Sequence, residues 1–257
     1  MSERDEKPFA MPAVRTVGAG APFGWLARGF ADFRAHPLPS LFYGVCFAAM
    51  GWLIAVVFEH AAAYVSSLAT GFFLVGPFLA TGLYALSRRR ERGEPAWLAP
   101  TLDAWRGNVG AIGVFAIVLA VILLVWARAS LVVFALFYTS EMPSVHGFLG
   151  QIFSLDNLEF LVAYACVGGF FALLVFAISV VSVPMMLDRG TDGVVAVLTS
   201  ARAFAANLPA MIVWAVTIVV VTAAGFALLF VGLVVAVPLI GHATWHAYRA
   251  LVEPPAG

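Results

Sequence analysis

The stretch GFFLVGPFLATGLYALSRRRERGE, residues 71–94, joins an uncharged, mostly apolar run to a cluster of four arginines: Arg88, Arg89, Arg90 and Arg92. An apolar helix of about 20 residues is long enough to cross the hydrocarbon layer of a membrane. Arginines that follow such a helix are typical of the end that stays in the cytosol. The stretch therefore predicts a transmembrane helix with a cytosolic carboxyl end, and the arginines are interpreted as topology determinants. Binding of anionic lipid is a second interpretation.

The composition of the whole chain agrees with this prediction. Of its 257 residues, 63% are hydrophobic and 11% are charged, whereas an ordinary soluble domain has about 25% charged residues. The chain is therefore predicted to be an all-α integral membrane protein, with the lipid bilayer as its surroundings. Its basic residues have no nucleic-acid-binding context, so we expect no nucleic-acid partner.

Six apolar runs predict six transmembrane helices, at about 39–58, 66–86, 109–129, 160–187, 209–228 and 231–248. The last pair has an alternative, because no ionisable residue lies between Ala203 and Gly241 and one very long helix would also fit. The segment LVVFALFY, residues 131–138, either lengthens the third helix or lies in the outer interface of the membrane.

The basic residues predict the orientation of these helices. Thirteen of the 14 Lys and Arg residues fall in segments on one side of a six-helix arrangement, and only Arg128 is left over. Cytosolic segments are the ones enriched in Lys and Arg, so both termini are predicted to face the cytosol. Residues 59–65 and 139–157 are then outside. The division of the chain is a disordered cytosolic tail (1–21), a membrane domain (22–252) and a short cytosolic tail (253–257).

Three of the predicted cytosolic segments resemble one another: FADFRAHPLPS (30–40), LDAWRGNVGA (102–111) and ARAFAANLPA (201–210). Each has an aromatic residue followed three positions later by His or Asn, in the pairs Phe33 and His36, Trp105 and Asn108, Phe204 and Asn207. A short amphipathic stretch precedes each aromatic and predicts an interfacial helix. Together they predict a pseudo-three-fold internal repeat, in which each unit is an interfacial helix followed by a transmembrane hairpin. Chance similarity at membrane boundaries is the alternative.

A proline lies in the returning helix of each hairpin, at Pro77, Pro184 and Pro238. Proline frees a backbone carbonyl and kinks a helix, which membranes tolerate when neighbouring groups satisfy that carbonyl. The positions four residues after the prolines are Thr81, Asp188 and His242, and those eight residues after are Ala85, Asp192 and His246. Packing of the three units around one axis would bring these positions together at the cytosolic end.

Four motifs carry a resemblance to a known family: GWLARGFADFRAHPLPSLFYG (24–44), residues 71–94 quoted above, FAISVVSVPMMLDR (176–189) and GHATWHAYR (241–249). Over residues 22–252 the chain resembles the bacterial integral-membrane family domain of unknown function 2189. Phe30 stands where that family would be expected to have Trp. The resemblance implies a six-span protein of the bacterial inner membrane without an established activity. Some relatives have a cytochrome c oxidase-like label, but the five histidines of this chain are too few for the six ligands of a haem–copper subunit.

The residues that could bind a metal are His242, His246, Asp188 and Asp192. Two histidines four positions apart on a helix can share a divalent ion, and the aspartates could complete its ligand set. The alternative is structural: Asp188 ends a helix, Asp192 caps the next one, and both histidines lie among the lipid headgroups near Trp245. A haem is disfavoured, because two ligands on one helix face cannot reach opposite sides of the ring.

Arg128 is predicted to lie at the outer end of the third helix. There it could reach water, or pair with Glu59, Glu141 or Glu159. An ion pair is favoured over a role in transport, because the residue is interfacial rather than central.

No catalytic motif is present, so the chain is predicted not to be an enzyme and to need no cofactor. The first hypothesis for its function is a scaffold, assembly factor or accessory subunit that acts on a membrane-protein partner. A small transporter or channel is the alternative, since kinked helices in a repeated bundle are features that transporters use. A metal-binding membrane protein is the third hypothesis.

Overall fold

The computed structural model describes residues 11–60, 65–137 and 158–254, and those parts of the chain form an all-helical protein. Five segments in these ranges are long and apolar enough to cross a membrane: Pro37–His60, Leu68–Glu91, Ala99–Phe137, Leu158–Arg189 and Leu208–Ala227. The chain is an integral membrane protein, as the composition predicts.

Nine helices account for the described architecture. They are α1 (Ala21–Ala35), α2 (Pro37–His60), α3 (Val65–Glu91), α4 (Val109–Phe137), α5 (Leu158–Ser179), α6 (Ser182–Arg189), α7 (Gly193–Ala206), α8 (Leu208–Ala227) and α9 (Leu233–Leu251). Two short 3₁₀ turns, Ala99–Thr101 and Ala104–Asn108, precede α4. The third predicted helix therefore continues to residue 137. The segment 139–157, predicted to be outside the cell, is not among the described residues.

Local sequence explains where two of the long helices begin. His36 leaves the helical conformation with φ −133°, because the residue before a proline is disfavoured in the α region and Pro37 follows. Asn207 also leaves the helical conformation, with φ −131°, and Pro209 follows in the first turn of the next helix, where its missing N–H costs no helical hydrogen bond. Each break separates a shorter amphipathic helix, α1 or α7, from the apolar helix that follows.

The predicted fourth span, 160–187, is two helices rather than one. It breaks at Val180 and Val181, just before Pro184, which has no N–H to donate to the preceding turn. Ser200 of α7 stabilises this break, because its hydroxyl donates to the carbonyl of Ala177 at 2.7 Å and accepts from the N–H of Val181 at 3.2 Å. The backbone groups freed by the break thus find partners inside the protein.

The interfacial helix predicted before the second hairpin is not an α-helix. Residues 99–108 form only the two 3₁₀ turns, one of which begins next to Pro100. Turns of this kind are short because their hydrogen bonds have poorer geometry than those of an α-helix. The amphipathic helices predicted before the first and third hairpins are present as α1 and α7.

The apolar region 209–248 forms two helices, so the single long helix is wrong. A turn at residues 228–232 separates α8 from α9, with Leu229 and Phe230 in the left-handed region at φ 52° and 66°. The sixth predicted span, α9, is not among the five segments above, because its second half is polar.

The segment 13–17 shows that α9 returns to the end of the bundle where α8 begins. The side chain of Asn207, next to α8, accepts from the N–H of Val17 at 2.7 Å and donates to the carbonyl of Arg15 at 3.0 Å. The N–H of Arg15 in turn donates to the carbonyl of Leu251, the last residue of α9, at 2.8 Å. Arg15 and Val17 thus join the beginning of α8 to the end of α9.

Helix α9 is packed between α1, α2, α3 and α8. Two glycines allow the closest approaches. A Cβ atom on Gly44 of α2 would lie 2.0 Å from the carbonyl oxygen of Val234, and one on Gly29 of α1 would lie 2.6 Å from the backbone nitrogen of Ala243. We call the end of the bundle that holds α1, Arg88–Arg92 and Arg249 the basic end.

Candidate functional site

A buried carboxylate at the basic end joins three helices. Asp32 of α1 is 4% exposed, and its side chain pairs with Arg90 of α3 and with His246 of α9, whose Nε2 lies 2.9 Å from Asp32 Oδ2. Burial alone would raise the pKa of Asp32, but the hydrogen bond with His246 contributes to the opposite effect, and the net result is a pKa below the usual 3.8. Asp32 is therefore a charged anchor for the amphipathic helix α1.

His242 lies one turn earlier on α9 and is fully buried. Its Nε2 is 2.9 Å from the hydroxyl of Ser40, and its Nδ1 is 2.7 Å from the hydroxyl of Ser87. When Nε2 is protonated, the ring donates to Ser40, which donates to the carbonyl of His36 at 2.7 Å, and Nδ1 accepts from Ser87. Both ring nitrogens of a neutral imidazole thus have hydrogen-bond partners, as buried polar groups in proteins usually do. We call Asp32, Ser40, Ser87, Arg90, His242 and His246 the Asp32 network.

A second polar cluster at the basic end has a different set of members. Asp188 of α6 accepts a hydrogen bond from the Tyr248 hydroxyl at 2.8 Å, and that hydroxyl accepts one from Arg189 Nε at 2.8 Å. The Asp188 carboxylate also lies 3.4 Å from Arg92 and 3.6 Å from Arg249. We call Asp188, Tyr248 and these three arginines the Asp188 network.

Glu91 at the end of α3 extends this cluster. One of its carboxylate oxygens accepts from Arg249 Nε at 3.0 Å, and the other accepts from the indole N–H of Trp245, also at 3.0 Å. The three helices α3, α6 and α9 are therefore joined at the basic end by hydrogen bonds that involve charged groups, the stronger class of hydrogen bond.

A cleft of about 840 Å³ opens beside the Asp188 network. Its lining includes the arginines Arg88, Arg92, Arg189 and Arg249, the carboxylates Glu91, Asp188 and Glu253, and the indole of Trp245. The side chain of Arg92 is 53% exposed, while that of Asp188 is 9% exposed. The cleft thus presents guanidinium groups to solvent and keeps one of their carboxylate partners buried.

The cavities between the apolar helices have a different character. Three of them, of about 360, 520 and 260 Å³, are lined by no charged residue and share Leu119 as a lining residue. Charge and polarity are therefore concentrated at the basic end, and the interior along the spanning helices is apolar.

The structure does not bring the four predicted metal ligands together. His246 pairs with Asp32, and His242 contacts two serines. Asp188 belongs to the Asp188 network, and Asp192 accepts from the N–H of Val194 at 2.8 Å as the cap of α7. Within the parts of the chain that the structure describes, no group of three or more His, Cys, Asp or Glu is placed to hold a metal ion.

The prediction that both histidines lie among lipid headgroups is wrong. His242 is fully buried and the side chain of His246 is 15% exposed, because α1, α2 and α3 cover this face of α9. The capping role of Asp192 is confirmed. Asp188 is not simply the end of a helix, because it accepts the Tyr248 hydroxyl and faces two arginines.

The positions after the three prolines do not meet at one point. Asp188 and His242 belong to the two separate networks, and the hydroxyl of Thr81 donates to Phe78 of its own helix at 2.6 Å. Arg128 is exposed on α4, and no carboxylate of residues 11–60, 65–137 or 158–254 lies within 4.0 Å of it. Its other predicted partner, Glu141, is outside the described residues.

Asp32 is the main residue that sequence reasoning missed. It lies on the same face of α1 as Trp25 and Gly29, and all three are buried. An acidic residue on the apolar face of an amphipathic helix is a signal for a buried partner, because an unpaired buried charge is costly. Its partners, more than 50 positions away, could not be identified from the sequence alone.

Comparison with known proteins places part of this architecture in a family. Residues 64–188, from α3 to the end of α6, match the model described as predicted integral membrane protein (DUF2189). The match covers 125 of the 257 residues, and over this segment the chain is similar to DUF2189. The resemblance stated from the sequence is confirmed, although the DUF2189 match is shorter than the 22–252 expected and leaves out the motifs at 24–44 and 241–249. No curated protein and no solved structure matches the chain.

Proposed function

We propose that the protein is a non-enzymatic scaffold or accessory subunit of the bacterial inner membrane, and that it docks a membrane-protein partner at its basic end. The observation that carries this proposal is the separation of polarity in the bundle. Arginines and carboxylates line an open cleft at the basic end, whereas the cavities along the spanning helices have no charged lining residue. A polar solute would find few partners along such an interior.

The basic end faces the cytosol in this proposal. Thirteen of the 14 basic residues lie in segments that this orientation places inside. The path of residues 13–17 supports α9 as a sixth crossing, because these residues contact both Asn207 and Leu251. A chain that crosses through α8 therefore returns through α9, and both termini lie in the cytosol.

The pseudo-three-fold layout is part of the same proposal. Each element before a hairpin packs on the returning helix of the preceding unit: α1 on α9, residues 104–108 on α3, and α7 on α5 and α6. Two of these contacts include an edge-to-face pair formed by one of the aligned aromatic residues. The pairs are Trp105 with Phe78 and Phe204 with Phe176. Three units related in this way close into a ring around α3, α6 and α9.

The most enzyme-like pair at the basic end fits a structural role. Ser87 and His242 are hydrogen-bonded as a nucleophile and base would be, but Ser87 is 1% exposed and His242 is fully buried. A substrate would have no access to that hydroxyl. The pair instead joins α3 to α9.

The cleft suggests the chemistry of the partner. Its exposed guanidinium groups suit a cytosolic segment that carries carboxylates. Arg92 is the best candidate for a contact residue, because more than half of its side chain is exposed and its distance to Asp188 is long at 3.4 Å.

Site-specific photo-crosslinking in intact cells tests this proposal. A photoreactive residue at position 92 is expected to give a defined crosslinked product, and one at Arg28, an exposed arginine of α1 outside the cleft, is not. The product at position 92 should disappear when Arg249→Glu reverses a charge of the cleft. Equal products at both positions, or a product insensitive to the reversal, would contradict a docking role.

A transporter is the second candidate, and the proline positions favour it. Pro184 follows a break between two helices, and Pro77 lines two of the apolar cavities. A transporter would move solute when the purified protein is reconstituted into liposomes. We expect no flux of ions or small polar solutes above that of protein-free vesicles. A flux through the wild-type protein that Leu119→Trp abolishes would contradict the scaffold proposal and support a transporter.

A further inference from the structure

The three apolar cavities adjoin one another, because they share lining residues. The central chamber, of about 260 Å³, is lined by Tyr84, Phe115, Trp214 and Thr244 among others. The turn-side chamber, of about 360 Å³, reaches Phe226 and Leu233 near the turn between α8 and α9. The lateral chamber, of about 520 Å³, reaches Trp126, Gly168 and Phe171 between α4 and α5.

Leu119 stands where the three chambers meet, because it lines all of them. Phe47, Gly76 and Pro77 line both the central and the turn-side chambers. Phe176, Ser179 and Ile218 line both the central and the lateral chambers. The turn-side and lateral chambers therefore adjoin the central chamber on two sides, as two apolar arms.

Trp214 is the polar feature that sets the central chamber apart. Its side chain is fully buried, and its indole N–H is the one buried side-chain N or O group of the described residues without a hydrogen-bond partner. Such groups are rare in folded proteins, because an unsatisfied buried donor costs about 1–3 kcal/mol. The indole is a donor only, so its missing partner is an acceptor.

We propose that these adjoining chambers bind an uncharged lipid whose hydrogen-bond acceptor, such as an ester or ketone oxygen, accepts from the Trp214 N–H. The two apolar arms hold its hydrocarbon parts. An uncharged lipid is favoured over one with a charged headgroup, because among the described residues no charged one lines the chambers to offset the desolvation of a charge. The chambers are in the size range of small-molecule sites, about 300–1,000 Å³ for the larger two.

The surroundings favour this occupant over water. Water in a cavity needs two to four polar partners, and two of the hydroxyls that line the central chamber already donate to their own helices. Ser179 donates to Phe176 at 3.5 Å and Thr244 to Ile240 at 2.8 Å. The helices that line the lateral chamber stand in the bilayer, where lipid is the abundant neighbour.

Photolabelling of the purified full chain in detergent tests the site, with a diazirine-bearing fatty-acid methyl ester as the probe. We expect the label on Leu119, Phe176 or Trp214, and we expect methyl oleate to displace it about fivefold more effectively than 1-octadecene, the factor of one neutral hydrogen bond. Label found only on lipid-exposed residues would overturn the proposal.

Three variants distinguish binding in the cavity from binding on the lipid-exposed surface, and test the hydrogen bond to Trp214. Leu119→Trp fills the junction and should lower labelling at least fivefold, whereas Ile117→Trp, on the exposed face of the same helix, should leave it unchanged. Trp214→Phe keeps the ring and removes the donor, so methyl oleate and 1-octadecene should then compete equally. Equal labelling of the two Trp variants, or an ester preference retained in Trp214→Phe, would show that this cavity is not the site. Trp214→Phe decides alone if Leu119→Trp does not fold.

Discussion

The Oδ2 atom of Asp32 lies 2.9 Å from Nε2 of His246, although 214 positions separate the two residues in the chain. This contact holds the first amphipathic helix against the last helix of the bundle. Arg90 of α3 binds the same carboxylate, so one buried charge links the beginning, middle and end of the sequence.

Replacement of Asp32 by Asn should lower the thermal stability of the purified protein. The change removes hydrogen bonds of the carboxylate to Arg90 and His246, and a hydrogen bond to a charged group contributes about 1.5–3 kcal/mol. For a protein of this size the fall in Tm is then roughly 3–12 °C. The matched control is Asp103→Asn, whose carboxylate is 55% exposed and lies 3.8 Å from Arg106; an exposed pair of this kind contributes at most about 1 kcal/mol. Equal shifts would show that Asp32 is not an anchor.

The stabilising effect of Asp32 should depend on pH. Its pKa in the folded protein is below the usual 3.8, so the charged form is favoured by folding. The contribution is complete above the unfolded pKa and is lost as the pH falls through the folded pKa. Melting curves of the wild type and Asp32→Asn should therefore differ most at neutral pH and converge in acid below about pH 4. A difference that stays constant over this range would mean that the charge of Asp32 is not what stabilises the fold.

Replacement of Gly29 by Ala should destabilise the protein. The added Cβ would lie 2.6 Å from the backbone nitrogen of Ala243, and overpacking of this kind costs about 1–3 kcal/mol. Gly24 lies on the same helix, and a Cβ added there would meet no atom within 4 Å, so Gly24→Ala should be neutral or stabilise by up to about 1 kcal/mol. Thermal melts of the two variants in detergent provide the measurement, and a stable Gly29→Ala would mean that α1 does not pack this closely on α9.

The proposed orientation predicts which engineered cysteines react from outside the cell. Leu229, 83% exposed in the turn between α8 and α9, should be labelled as Cys by a membrane-impermeant maleimide in intact cells. Glu94, an exposed residue just after α3, should be labelled as Cys only after permeabilisation. Cys46 and Cys166 are replaced by Ala in both variants. The reverse pattern would invert the topology, and reaction of both in intact cells would show that α8 does not cross.

The sequence predicts the helices well where a single physical signal dominates. Long uncharged runs define the spanning helices, and Pro37 and Pro209 mark where two of them begin, because proline restricts the residues before it. The break at Val180 is harder to predict. Pro184 indicates a kink, but whether a helix bends or breaks depends on a group such as Ser200, which comes from another helix.

The candidate sites are predicted less completely, because sequence spacing shows only which residues share one helix. His242 and His246 share a face of α9, and this much follows from their spacing. Ser40, Ser87 and Asp32 cover this face in the structure. Their positions depend on how three other helices pack, so spacing within α9 does not predict them. Proline register alone groups the aspartates Asp188 and Asp192 with the histidines, whereas in the structure the four residues have different hydrogen-bond partners.

The pairing of α1 with α9 has a consequence for biosynthesis. Asp32 is made early, and His246 follows 214 residues later, which at typical rates of synthesis is an interval of roughly 10–40 s. Throughout that interval α1 has no α9 to cover its buried face, while the intervening helices enter the membrane. A chain that stops before α9 would leave Asp32, Ser40 and Ser87 without their histidines. Completion of the last helix is thus the step that closes the bundle, and a truncated chain would be marked for degradation by the polar groups that it leaves uncovered.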